Sequence, residues 1–185
     1  MKYYLLNWEE KGNPVPRIRN WMERLDYQAV QRRELAKLPE RTILFLEENS
    51  DTLFSDVIEK PFFLVSKMFW DVSKMYEVPT RGKEMVLLDG MNGFAEIYYM
   101  PVYPRYRCLS EETVFNNDYS VIQELILDKE KIKYVPPVFE VAEVEKDYLI
   151  CRLDFIESIL RRGAKGIKLA AVSYTHLTLP TICSV

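Results

Sequence analysis

The chain has 185 residues, of which 48% are hydrophobic and 29% charged, and these proportions are typical of a globular protein with a buried core. Its formal net charge of −3 disfavours nonspecific attraction to nucleic-acid phosphates or anionic lipids. No apolar stretch approaches the length that crosses a bilayer, and the first twelve residues lack the apolar region and cleavage site of a signal peptide. We therefore expect a cytoplasmic protein that does not enter a membrane.

The first third of the chain predicts two strands and one helix. Lys2–Leu6 is apolar enough for a strand, and the stretch Asn7–Pro16, which contains glycine and prolines, predicts a loop. Between Tyr27 and Leu38 apolar residues recur at helical spacing, and a proline then ends the predicted helix. The short apolar run Thr42–Leu46 predicts a buried strand, which an acidic turn at residues 47–51 follows.

The centre of the chain predicts a strand, a helix and a second strand. Phe62–Val65 is typical of a buried strand, and the hydroxyl of Ser66 is placed to cap the helix behind it. Pro79 and Gly82 are expected to break the chain before the next strand, Met85–Leu88, which a glycine-containing turn joins to a strand over 94–100. The expected buried face of the helix consists of Met68, Phe69, Val72, Met75 and Tyr76.

Short extended segments are expected in the following stretch. Prolines bound Tyr103–Leu109, which therefore predicts an edge strand or an extended segment. Val121–Leu127 fits either a helix face or a strand, and its β-branched residues favour a strand. Val138–Val141, behind two prolines, predicts a strand.

The C-terminal part repeats the plan of the centre. Tyr148–Cys151 predicts a strand, a helix is expected from Leu153 to Arg162, and Gly163 is placed as its left-handed cap. Gly166–Ala171 predicts the closing strand. Leu153, Ile156, Ile159 and Leu160 are the expected inward residues of the helix. Two strand–helix–strand units, at about residues 62–89 and 148–171, raise the hypothesis of a structural duplication.

The end of the chain differs in character from the rest. The run Val172–Thr181 resembles the translation of a transposase-adapter sequence from DNA sequencing libraries, so we expect residues 172–185 to be a non-native tail on a domain of residues 1–171. A genuine threonine-rich tail is the alternative. His176, the one histidine of the chain, and Cys183 lie in this tail, which leaves Cys108 and Cys151 as free thiols of a protein in a reducing compartment.

The side-chain inventory excludes the most common active sites. Without imidazole, a Ser–His–Asp or Cys–His site has no base near neutral pH, two distant thiols cannot form a zinc site, and no phosphate-binding glycine loop is present. We therefore predict no catalytic, cofactor or metal site. An enzyme that uses a metal, a thiol or carboxylates is the alternative, with Glu111 and Glu112, Asp154 and Glu157, or Cys108 beside Arg107 as its candidate groups.

Two groups of basic and aromatic residues are candidate binding surfaces. The first resembles nucleic-acid-binding stretches, but its interleaved acidic residues favour a solvated helix face; its arginines are Arg17, Arg19, Arg24, Arg32 and Arg33. The second combines residue types that protein interfaces enrich and is our predicted contact surface; it consists of Tyr103, Arg105, Tyr106 and Arg107.

Three stretches resemble the eleventh-numbered immunity family of bacterial polymorphic toxin systems. They are the opening Met1–Leu5, the sequence PFFLVSKMFWDVSKMYE at 61–77, and YLICRLDFIESILRRGAKGIKL at 148–169. The resemblance implies an α+β, cytoplasmic, non-catalytic protein that binds and neutralises a cognate toxin, and it transfers no individual functional residue. Residues from about Trp8 to Thr52 depart from the family pattern, which leaves their role open.

Together these observations predict a single α+β domain with a mixed sheet, acting as an immunity-like module that occludes a protein partner. An enzyme and a nucleic-acid-binding accessory protein are the competing hypotheses.

Overall fold

The computed structural model describes residues 2–8, 16–47 and 54–175, with the backbone alone for Trp8. Within these ranges the α-helices are α1 (Tyr27–Gln31), α2 (Lys67–Met75) and α3 (Leu153–Arg161), and short 3-10 helices span Trp21–Glu23 and Leu35–Lys37. The strands are β1 (Tyr3–Trp8), β2 (Ile18–Arg19), β3 (Arg41–Leu46), β4 (Val57–Ile58), β5 (Leu64–Ser66), β6 (Arg81–Asp89), β7 (Phe94–Val102), β8 (Arg105–Tyr106), β9 (Val114–Phe115), β10 (Ile122–Glu124), β11 (Ile126–Leu127), β12 (Val138–Val141), β13 (Leu149–Arg152), β14 (Ile167–Ala171) and β15 (Ser173–Tyr174).

Two mixed sheets contain most of these strands, which confirms the predicted α+β class. The six-stranded sheet has the order β2-β3-β6-β7-β5-β4, with β3 and β6 parallel and every other pair antiparallel. The five-stranded sheet has the order β14-β1-β13-β12-β8, with β8 and β12 parallel. Two small pairs, β9 with β10 and β11 with β15, complete the described strands.

Both predicted strand–helix–strand units are confirmed, and they share a sheet arrangement. In the central unit, β7 lies between β5 and β6 and runs antiparallel to both. In the C-terminal unit, β1 lies between β13 and β14 in the same way. The similarity of the two units therefore extends from the order of elements to the way their strands pair.

The two unit helices meet in a shared core between the sheets. The rings of Phe69 in α2 and Phe155 in α3 contact edge to face, with centroids 5.2 Å apart. Residues of both sheets surround this contact, among them Val65, Val138 and Cys151, all fully buried. This core joins the six-stranded sheet to the five-stranded sheet.

The buried faces of the two helices are narrower than the sequence predicts. Met75 and Leu160, both expected inside, are 64% and 47% exposed. In α2 the buried residues are Phe69, Val72 and Ser73, and Ser73 belongs there because its hydroxyl donates to the Phe69 carbonyl, 3.0 Å away. The buried set of α3 is Phe155, Ile156 and Ile159. Met75 and Leu160 lie beside these buried residues on the helix surface, so the prediction that they face inward is wrong.

The predicted helix over residues 27–38 is wrong beyond Gln31. Arg33 has a left-handed φ of 55°, and only a short 3-10 turn, Leu35–Lys37, follows. The Arg33 guanidinium makes ion pairs with Glu140 and Asp147, and these tertiary contacts override the local helical pattern.

Other local predictions hold, with shifted boundaries. Ser66 caps α2 by accepting a hydrogen bond from the Phe69 N–H at 3.2 Å, and Gly163 ends α3 with a φ of 80°. The region 121–127 forms strands, as favoured. Gly82 lies inside β6 instead of breaking the chain, and the ring of Trp70 occupies the space above it.

The described residues beyond Ala171 pack against the rest of the protein. Val172 is buried, β15 pairs with β11, and the hydroxyl of Tyr174 accepts a hydrogen bond from the Tyr3 N–H. His176 and Cys183 lie outside the described residues, as do most of the loop predicted over 7–16 and the turn at 47–51. The foreign origin of the tail stays a prediction. No helix in the described ranges is both long and apolar enough to span a membrane.

Candidate partner-binding face

The predicted contact surface lies at the edge of the five-stranded sheet. Tyr103 is buried there, with its hydroxyl 3.2 Å from that of Ser73, so Tyr103 does not belong to an accessible surface. Tyr103 belongs to the core between the sheets, to which α2 and β12 also contribute side chains.

The other three members of this surface lie nearer the solvent. The guanidinium of Arg105 donates to the carbonyls of Val141 and Val144, at 3.0 and 2.5 Å. Tyr106 is half-buried and packs edge-on against a core phenylalanine, and Arg107 is exposed. Arg105 and Tyr106 thus serve the local packing of β8, and their role in binding stays a prediction.

Both thiols of the described chain are free and buried. Burial, together with the nearby carboxylate of Glu143, raises the pKa of the Cys108 thiol to about 12, and Lys131 offsets only part of this. This shift is opposite to the lowered pKa that the alternative of a reactive Cys108 beside Arg107 requires. Burial also raises the pKa of Cys151. Both thiols are buried, and the pKa of each is shifted in the direction opposite to that of an activated cysteine nucleophile.

The carboxylates considered as candidate catalytic pairs have arginine partners or face solvent. Asp154 pairs with Arg152 at 2.8 Å, and this hydrogen bond lowers the pKa of the Asp154 carboxyl. Glu157 lies 3.5 Å from Arg161, and Glu111 and Glu112 are exposed. The described residues contain no group of three or more acidic, cysteine or histidine side chains that could hold a metal ion.

A cavity of about 280 Å³ lies where α1 approaches both sheets. On its wall the guanidinium of Arg33 contacts the carboxylates of Glu140 and Asp147, each at 2.5 Å. Burial raises the pKa of Glu140, and the positive charge of Arg33 opposes this shift. The remaining lining is mainly apolar and includes Leu6, Phe62, Phe63, Met100 and Leu149. The ion pairs of Arg33 therefore connect the segment after α1 to the five-stranded sheet and the loop before β13.

The five arginines of the predicted basic surface do not form one face. Arg33 is committed to the cavity, and Arg32 lies beside it in the turn after α1. Arg17, Arg19 and Arg24 instead gather around the strand β3. The structure therefore contradicts a basic face made of all five arginines, but the last three do lie close together around β3.

One face of the six-stranded sheet, here called the outer face, is covered at one end. Trp70 of α2 stacks on Tyr99 of β7, with ring centroids 4.7 Å apart and an angle of 8° between the planes. The same indole lies against Gly82, where an added Cβ would come within 2.8 Å of it. Val65, in register with Tyr99, is fully buried in the shared core. This end of the outer face is part of the protein interior.

The other end of the outer face is uncovered. The register places Ile43, Val86 and Ile97 side by side on β3, β6 and β7, and Phe45, Leu88 and Ala95 in the next row. Ile43 is 47% and Phe45 38% exposed, Ala95 is exposed, and the other three are half-buried. We call these six residues the open face. The opposite side of the same strands is buried, since Leu44, Leu46, Met85 and Leu87 pack under the segment that contains α1.

Charged side chains surround the open face and form what we call the rim. Arg19 is in register with Phe45, and the guanidinium of Arg24 lies 4.9 Å from the centre of the Phe45 ring. Arg17 is 4.0 Å from Glu47, and Arg41 pairs with Glu84. The rim consists of Arg17, Arg19, Arg24, Arg41, Glu23, Glu47 and Glu84. At the β6–β7 turn, Met91 is 59% exposed. Phe94 is 62% exposed, but the register places it on the side of Leu87, opposite the open face.

The local sequence pattern could not reveal the open face. In β3 the residues of both sides are apolar, so the segment lacks the alternation that marks a half-exposed strand, and it was expected to be buried. Only the register of β3 with β6 and β7, and the position of α2, show which side is uncovered. The sequence analysis singled out the arginines but gave no indication that three of them lie beside β3 and Phe45.

No protein-family model matches this chain, and no curated protein matches it either. The resemblance to the immunity family accordingly stays a prediction that rests on the three quoted stretches.

Proposed function

We propose that the protein is a non-catalytic binding module of the cytoplasm that neutralises a cognate toxin by occluding it, as the resemblance to the immunity family implies. The open face is the observation that carries this proposal. The open face is smaller than the apolar patches that are uncommon on monomeric proteins, so its arrangement with the rim, and not its size, supports the proposal. Here the patch spans three neighbouring strands and is bordered by charged side chains, the usual arrangement of an interface core and its rim.

A sheet is a suitable platform for such a site. The backbones of β3, β6 and β7 are held by their pairing, and their inner sides are fixed by the core. The backbone beneath the open face is therefore already ordered. A partner that binds there removes little conformational freedom from it, which favours affinity.

The size of the open face sets its role in the interface. Two rows of three side chains, on strands about 4.8 Å apart, cover on the order of 100–200 Å². A stable protein interface buries about 800 Å² on each partner. The open face is therefore the apolar core of a larger contact that includes the rim and the neighbouring β6–β7 turn with Met91.

Co-expression with the products of genes adjacent to its own, each tested for toxicity to the host cell, tests the proposal. We expect the wild-type chain to restore growth and Phe45→Asp to fail, because a carboxylate would replace the one aromatic ring of the open face. Tyr134→Asp is the matched control, since Tyr134 is 87% exposed and lies outside the open face. Circular dichroism of both purified variants checks that they are folded. Loss of protection by both variants alike, or no protection by the wild type, would contradict the proposal.

A further inference from the structure

We infer that the open face docks a protein whose contact surface is an apolar ridge bordered by carboxylates, and that Arg19 and Arg24 receive those carboxylates. This inference rests on the proposed function and adds the chemistry of the partner. It is drawn from the position of the two arginines beside Phe45 and from the charges around them.

The two arginines are placed at the border of the apolar patch and lack acidic partners among the described residues. Arg19 extends from the edge strand β2 on the side of Phe45, and Arg24 reaches the Phe45 ring from the loop before α1. The other two rim arginines differ, because Arg17 lies 4.0 Å from Glu47 and Arg41 pairs with Glu84. Arg19 and Arg24 are therefore the rim arginines whose guanidinium groups can bind carboxylates of a partner protein.

The local charge contrasts with that of the whole chain. The chain carries a formal charge of −3, yet the rim has four arginines and three glutamates. Among these glutamates, Glu23 alone has no ion pair in the described structure. Guanidinium groups bind carboxylates through two parallel hydrogen bonds, which gives geometric selectivity as well as attraction. Contact of Arg24 with the ring also limits the side-chain freedom that binding would remove.

The residue types of the open face favour a protein over a nucleic acid. Single-stranded nucleic acids stack successive bases on exposed rings. The open face has one aromatic ring, Phe45, and Arg24 already lies against it. Its other five members are aliphatic, and aliphatic side chains pack well against apolar side chains of a protein.

Site-specific photocrosslinking tests the inference in cells of the source organism. A benzophenone side chain is introduced at Ile43, which is 47% exposed, and at Tyr134 as the matched control. We expect a protein adduct at position 43 that the control lacks, followed by identification and purification of that protein. An adduct with nucleic acid, a crosslink between two copies of this chain, or equal adducts at both positions would overturn the inference.

Binding of the purified partner then tests the role of the arginines. For the double variant Arg19→Glu/Arg24→Glu we expect binding about tenfold weaker at low salt, with the difference shrinking as salt screens the charges. Ile43→Ala should weaken binding at every salt concentration. Unchanged affinity of the double variant would overturn the assignment of an acidic partner surface.

These readouts separate the two proposals. A partner that binds as expected but is not a toxin would refute the proposed function and leave the inference standing. A toxin that the protein neutralises through another surface would refute the inference and leave the proposed function standing.

Discussion

The two ends of the outer face of the six-stranded sheet both carry aromatic and aliphatic side chains, yet one end is covered and the other is exposed. At one end, Trp70 and α2 lie over Tyr99 and Gly82, and the residues join the shared core. At the other end, Ile43 and Phe45 reach solvent. The nine residues of α2 extend about 13 Å, and this helix packs on β5 and β7. The length and position of one helix, more than the composition of the strands, decide which apolar residues form the interior and which form a surface.

The largest expected effect comes from a phenylalanine on the buried side of the covering helix α2. Phe69→Ala should lower the free energy of unfolding by about 3–5 kcal/mol, because it removes a fully buried ring that contacts Phe155. Phe45→Ala, the same substitution at the open end, should cost less than about 1 kcal/mol. Urea denaturation of both variants measures the contrast. A cost for Phe45→Ala as large as that for Phe69→Ala would show that the open end is covered.

A smaller effect is expected where the helix approaches the sheet most closely. An added methyl group at Gly82 would lie 2.8 Å from the Trp70 ring and 3.0 Å from the Met100 carbonyl oxygen. We therefore expect Gly82→Ala to destabilise the protein by about 1–3 kcal/mol. Gly90→Ala is the control, since a Cβ at Gly90 meets no atom within 4 Å. Equal thermal melting of the two variants would argue against close contact between α2 and β6.

The start of the covering helix gives a third test. Ser66 accepts the hydrogen bond of the Phe69 N–H, so Ser66→Ala should lower the free energy of unfolding by about 1 kcal/mol. Ser66→Thr keeps the hydroxyl and should lose less. If both substitutions cost the same in denaturant titrations, the capping bond does not stabilise α2.

The smallest effect concerns the turn that holds the open end. The side-chain amide of Asn92 and the backbone N–H groups of Asn92 and Met91 donate to the Asp89 carboxylate and lower its pKa. Because the folded pKa lies below the unfolded value of about 3.9, this carboxylate stabilises the hairpin above that pH. Its contribution is lost as the pH falls through the lowered pKa.

The difference in unfolding free energy between wild type and Asp89→Asn should therefore be present at neutral pH and should disappear in strong acid. A difference that does not change with pH would mean that the carboxylate charge does not stabilise the turn.

The sequence predicted those parts of the fold that depend on local pattern. Ser66 and Gly163 carry the chemistry of helix ends within a few residues, and β12 and β13 follow from compact apolar runs. The strand–helix–strand plan of both units was visible for the same reason. Arg33 shows where this approach fails, since its left-handed φ accompanies ion pairs with residues more than 100 positions away.

The candidate site depends on contacts between residues that are far apart in the sequence. The predicted contact surface was chosen from residue types, and Tyr103 proved to be buried because its neighbours in space come from α2 and β12. The open face was missed because Ile43 and Phe45 share one strand with buried Leu44 and Leu46. Which side of β3 is covered depends on how α1 and α2 pack, and that packing has no counterpart in the local sequence.

Side-chain footprinting by hydroxyl radicals, with and without the purified partner, tests the account most directly. It reports the solvent accessibility of Phe45, Met91 and Tyr134 in the folded protein. We expect the partner to slow oxidation of Phe45 and Met91 and to leave that of Tyr134 unchanged. Protection of Tyr106 in the edge strand β8, with Phe45 still freely oxidised, would contradict the assignment of the open face as the binding surface.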